Sequence, residues 1–177
     1  LAVAAGLRLG VFDLACSSAG LRLGDCLWEA PLRFHCQWLH FDETERLWAG
    51  GHRPSSSVAD SGDWDACRGG GIDAFAVDSG AHHFTAALPD ATAWGYGADP
   101  VVLAPGCREV YVLGRDASVH VVNVSRASPR IDHALEALDG VATPSLGIGH
   151  AALRDGWLYA GFSRGGFRLL RYGRRAA

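Results

Sequence analysis

One strand phrase recurs four times along the chain: Leu9-Gly-Val-Phe-Asp13, Ile72-Asp-Ala-Phe-Ala76, Val119-His-Val-Val-Asn123 and Phe167-Arg-Leu-Leu-Arg171. Aligned on Phe12, Phe75, Val122 and Leu170, the copies lie 63, 47 and 48 residues apart. A step of roughly 40 to 50 residues is the period of a propeller blade, so the repeat confines the chain to few architectures. A second apolar run precedes each copy: Leu1-Ala-Val-Ala-Ala5, Leu47-Trp-Ala-Gly-Gly51, Val110-Tyr-Val-Leu-Gly114 and Leu158-Tyr-Ala-Gly-Phe162. Each pair predicts a β-hairpin, with Gly6, Arg115-Asp-Ala117 and Ser163-Arg-Gly-Gly166 supplying the residues that tight turns need.

Further upstream, Cys36–Phe41, Pro100–Ala104 and Ala151–Leu153 add another strand, each closed by a polar turn. Weaker segments near Leu21–Trp28, His83–Leu88 and His133–Leu138 complete a four-stranded blade as its innermost strand, His133–Leu138 being the one stretch that also suits a helical turn. Gly and Pro interrupt the remainder too often for helices, and the apolar spacing is two. The expected fold class is all-β: a β-propeller of four-stranded antiparallel blades, about three and a half of them. The expected units are a partial blade at 1–14, a blade at 21–79 with an insertion at 51–71, and blades at 83–125 and 133–173. The chain then opens on the third strand of one blade and closes on the fourth of another. Completion of the ring is expected from further polypeptide upstream, with a second copy as the alternative.

These units resemble WD-repeat propeller blades. The resemblance rests on Gly149-His150, Asp155-Gly156, Tyr159-Ala-Gly161 and Phe167-Arg-Leu-Leu170, which follow that repeat's order, and on Phe12-Asp13 and Val122-Asn123 at its Trp-Asp position. It implies a blade tied by hydrogen bonds among a His, a strand Ser or Thr, a turn Asp and a Trp. No Trp occupies the pair position, and His150 stands only 20 residues before Leu170, a spacing that suits the start of a strand better than a loop cap. Lactonase-like and quinoprotein-like propellers share the same strand rhythm.

Composition narrows the function classes. A net charge of −3 gives no basic field, so neither nucleic acid nor an anionic membrane is an expected partner. The basic side chains are all Arg and Met is absent, which reads as codon bias in a segment without its initiator. Five cysteines, Cys16, Cys26, Cys36, Cys67 and Cys107, show no paired spacing and suit buried thiols in a reducing, cytoplasmic compartment. No apolar run is long enough to span a bilayer as a helix.

The longest polar stretch, 51–71, holds three consecutive Ser, three closing Gly and the anchor Asp63-Trp64-Asp65. Such an insertion projects from one face, and an aromatic residue between acids has the form of a partner contact. Arg53 at its start and Trp94 and Tyr96 in the Gly-rich segment 94–97 join it as expected partner-binding residues. His52, Asp60, Asp63, Asp65 and Cys67 lack metal-ligand spacing, so no metal and no cofactor is expected. His82-His83 is expected as a polar loop pair, Asn123-Val-Ser125 is a discounted glycosylation sequon, and no nucleophile elbow occurs.

Two readings follow. The first is a non-enzymatic propeller that serves as a protein–protein interaction scaffold within a larger, multi-subunit assembly, with no catalytic residues and no small-molecule substrate. The second is a lactonase-like, metal-dependent hydrolase. Channel-end ligands discriminate them: Asp42, Asp99 and Asp155 are available, but Asn123 is the only Asn, and that scarcity favours the binding module.

Overall fold

Alternation of apolar and small residues in the hairpin phrases lets both faces of a strand be buried, and the architecture is built on that property. A computed structural model describes residues 1–18, 20–53, 69–90, 92–94, 99–106, 108–115, 118–124, 130–135, 149–155, 157–162 and 168–172. They form fourteen strands in four antiparallel sheets, each made of consecutive strands. The first sheet is β1 (Ala2–Ala5), β2 (Arg8–Ser17) and β3 (Gly20–Pro31). The second is β4 (His35–Phe41), β5 (Arg46–His52), β6 (Gly71–Ala76) and β7 (His82–Ala87). The third is β8 (Val101–Leu103), β9 (Glu109–Leu113), β10 (Val119–Asn123) and β11 (Arg130–Leu135), and the fourth is β12 (Gly149–Arg154), β13 (Trp157–Phe162) and β14 (Arg168–Tyr172).

Three apolar clusters join the sheets in order. Leu9 and Val11 of β2 pack on Leu47, Ala49 and Phe75 of the second sheet. The opposite face of that sheet, with Trp48, Ile72 and Ala74, meets Val110, Val112 and Val122 of the third. Tyr111, Leu113, Val119 and Val121 then turn from the third sheet to Leu158 and Ala160 of the fourth. Successive sheets stacked face to face, each an antiparallel meander, are successive propeller blades.

The sequence-based grouping needs one correction. The segments near Leu21–Trp28, His83–Leu88 and His133–Leu138 do not open a blade; β3, β7 and β11 each pair with the strand before them. A hairpin return over the short turn between Ala76 and His82 is the nearest available partner, so each unit is shifted by one strand. Residues 130–135 are extended, not helical. In the repeat itself Phe75 lies opposite Leu47 and Val122 opposite Val110, whereas Leu158 faces Tyr172 rather than Leu170. That is a two-residue slip, which preserves the alternation of faces.

The turn between β4 and β5 shows how local chemistry fixes a hairpin. Asp42 Oδ1 accepts hydrogen bonds from the Thr44 amide at 2.8 Å and the Arg46 amide at 3.1 Å, while Oδ2 accepts from Arg46 Nε at 2.9 Å and Trp48 Nε1 at 2.7 Å. Burial alone would raise this carboxyl. The hydrogen bonds from Trp48, Thr44 and the two amides outweigh it and hold Asp42 well below the usual carboxylate range. The Arg46 guanidinium also lies 5.0 Å from the centre of the Trp48 ring, and that ring is fully buried against the third sheet. Replacing Asp42 with Ala leaves a buried indole N–H and an arginine without their acceptor, so we expect a loss of about 3 kcal/mol in urea unfolding; a loss below about 0.5 kcal/mol would contradict this account.

Candidate partner-binding face

The insertion leaves the second sheet between β5 and β6, where Gly51 opposes Gly71. Backbone approaches backbone here too closely for any side chain. A Cβ at Gly51 would stand 1.8 Å from the His35 carbonyl oxygen, and one at Gly70 would stand 1.9 Å from that of Gly51. Gly70 also has φ +102°, a conformation that L side chains rarely adopt. The three closing glycines noted in the sequence are thus a packing requirement at the stem.

The segment after β7 clamps this stem. The Leu88 amide donates to the Gly70 carbonyl at 3.1 Å, and the Gly69 amide donates to that of Asp90 at 3.3 Å. The Trp94 indole N–H donates to the Gly69 carbonyl at 3.0 Å, and Arg115 Nη2 donates to the Trp94 carbonyl at 3.0 Å. An exposed ion pair of 3.2 Å between Arg53 and Asp90 closes the outer side. Two strand connections therefore emerge together on one face, held by backbone bonds and a buried indole.

Two histidines lie at the base of the stem. His35 and His52 are paired across β4 and β5, and their rings stack at 5.3 Å with an interplanar angle of 11°. His52 is 4% exposed, and its Nδ1–H donates to the Arg53 carbonyl at 2.8 Å. Burial depresses its basicity most, the Arg53 carbonyl opposes that, and the neighbouring His35 depresses it further; the net shift is downward. The neutral form of the ring is thereby favoured.

Of the residues expected to contact a partner, Arg53 sits at the stem in its ion pair. Trp94 does not lie on the surface: it is fully buried, because its N–H finds an acceptor inside the stem and its ring joins the core of the second and third sheets. Asp63, Trp64, Asp65 and Tyr96 fall outside the described residues. Asp90, Arg115, His35 and His52 were not singled out as a group. No shared sequence signal marks them, since pairing across β4 and β5 appears only once the register is known.

The remaining chemistry-bearing side chains are engaged elsewhere. Asp73, buried in β6, accepts from Thr85 and lies 3.1 Å from His82 Nε2. His82 thus belongs to a strand and a buried contact rather than to a polar loop. Asp73 and Thr85 both meet the same imidazole nitrogen, Nε2. Burial pushes the Cys36 thiol up to about 11, against hydrogen bonds to Trp38 and Gly50 and aided by Asp73, which makes it an inert thiol. Asp99 is raised by burial against the pull of His150, His40 and Trp38, and it bridges the third and fourth sheets through its carbonyl, which accepts the Ala151 amide at 2.8 Å. His150 begins the first strand of the fourth sheet. Among the described residues no group of three or more His, Cys, Asp or Glu is placed to hold a metal ion.

No protein-family model and no curated protein matches the chain. Among solved structures, the chain is similar to one in the complex of KlAtg21 with the coiled coil of AgAtg16, at 8% identity and a TM-score of 0.43. The alignment covers 93% of this chain and 63% of that one, so the chain spans less than two thirds of its length.

The histidine pair gives a pH dependence of definite sign. Unfolded His52 binds a proton near pH 6.5, whereas the folded ring resists it, so stability is complete above that value and declines as pH falls below it. We expect the urea midpoint to fall between about pH 7.5 and 5.5, and His52→Gln to flatten that slope. An identical slope in the variant would assign the dependence to other groups.

Proposed function

We propose that the chain is a non-enzymatic, WD-repeat-like propeller that acts as a protein–protein interaction scaffold within a larger cytoplasmic assembly. The partner meets the face on which the β5–β6 insertion and the segment after β7 emerge together. Arg53, Asp63, Trp64, Asp65 and Tyr96 supply the contacts: an aromatic anchor with an acidic rim, beside a cation already held by Asp90. The observation that carries this reading is the stem itself. Three glycines, an indole hydrogen bond and an ion pair hold the base of a polar insertion that has little apolar surface of its own. A preorganised base lowers the ordering cost when such a segment engages a partner.

The test exchanges residues 55–67 for a short Gly-Ser linker, which leaves the stem intact, and compares complexes recovered from native extract by this variant, by Arg53→Ala and by the intact chain. Partners recovered with the intact chain should be lost from the linker variant and reduced for Arg53→Ala, at unchanged thermal midpoints. Equal recovery by all three would refute the assignment of this face.

A further inference from the structure

Between the β4–β5 turn, the end of β8 and β12 lies an open groove of about 350 Å³. Successive connections of an antiparallel meander fall at opposite ends of its sheet, so this turn stands at the end of the second sheet away from the β5–β6 insertion. One wall of the groove is the turn, with Glu43. The other is Val102 and Leu103 of β8 and the Pro105-Gly106 turn after it, and Leu153 of β12 borders the same space.

Both walls are fixed by local chemistry. Asp42 holds the first through the Thr44 and Arg46 amides, and Gly106, at φ +75° after a proline, sets the second as a tight turn. The apolar lining draws on two cores. Leu103 packs against the cluster that joins the second and third sheets, whereas Val102 and Leu153 pack against the one that joins the third and fourth. A groove whose shape exists beforehand costs little ordering when a partner enters it.

Its charge has one sign. Asp42 is matched by Arg46 at 2.9 Å, but Glu43 is exposed and enters no ion pair among the described residues. No described arginine lines the groove. Farther along the same turn a second depression, of about 510 Å³, carries Glu45 and Asp78 beside Arg46 and His83. Both of these acids are exposed as well, while Arg46 is already engaged by Asp42. Acidic segments and phosphate polymers are repelled from such a surface and basic ones attracted. A small molecule would be poorly enclosed here, since ligand sites cover most of the ligand, but a side chain of a larger partner fits.

We propose that this groove docks a basic segment of a partner protein, one aliphatic or aromatic side chain seated between Leu103 and Leu153 and a neighbouring arginine or lysine meeting Glu43. Further basic residues of the segment run toward Glu45 and Asp78. The site is separate from the insertion face, so occupation of one leaves the other open.

Selection of a phage-displayed library of random peptides on the full chain tests this. Enriched sequences should join an aliphatic or aromatic residue to Arg or Lys. Affinity for the best synthetic peptide, read by fluorescence anisotropy, should fall about tenfold for Glu43→Arg, and the same peptide with its basic residues changed to Glu should bind that variant better than the intact chain. Leu103→Ala, with unchanged circular dichroism, should weaken binding about fivefold. If that variant misfolds, the charge reversal at the exposed turn position carries the test alone. Arg53→Ala should bind the peptide as the intact chain does, which separates this site from the insertion face. No enrichment, enrichment of acidic or uncharged sequences, or a peptide affinity indifferent to Glu43→Arg would overturn the proposal.

Discussion

Burial of single strands on both faces is the constraint on which the molecule rests. In the second sheet β5 and β6 are buried along almost their whole length, and β9 of the third sheet is buried likewise. Such a strand cannot alternate apolar with polar residues. It carries apolar side chains on both faces, so that Leu47 and Phe75 serve one neighbouring sheet while Trp48 and Ile72 serve the other. The second and third sheets are thereby walls each shared by two cores, and removal of one weakens both. The fully buried Trp48 illustrates the cost: its indole N–H must find an acceptor, and Asp42 in the preceding turn provides it.

Irregular features follow from that stacking. At the base of the β5–β6 connection Gly51, Gly70 and Gly71 stand where neighbouring chain leaves no room for a Cβ. Trp94 and Arg115 then tie the stem to the third sheet, at the same junction that buries Ile72 and Val112. Local opening free energies should differ accordingly, highest in the shared walls and lowest in the outward ribbon of β2 and β3, where residues 20–27 are all exposed.

Much of this was legible in the sequence, for identifiable reasons. The hairpin phrases announce themselves because apolar and glycine residues recur at fixed offsets, and those at 47–51 with 72–76 and at 110–114 with 119–123 are the antiparallel pairs β5–β6 and β9–β10. The last strands of the second and third sheets pair with the other neighbour from the one expected, because His82–Ala87 and Arg130–Leu135 carry weak patterns and nothing local says which way a strand pairs. Trp94 was misplaced for a related reason. A Trp among glycines looks like a surface ring until the acceptor for its N–H, the Gly69 carbonyl 25 positions earlier, comes into view. The His35–His52 stack was invisible because it depends on the register between β4 and β5.

Residue-resolved hydrogen exchange tests the shared-wall account most directly. Amides of β5, β6 and β9 should exchange slowest and should lose protection together with rising denaturant, as one cooperative unit that spans the second and third sheets. Amides of β5 and β6 that exchange as readily as those of the ribbon at 20–27, or that open separately from β9, would contradict it.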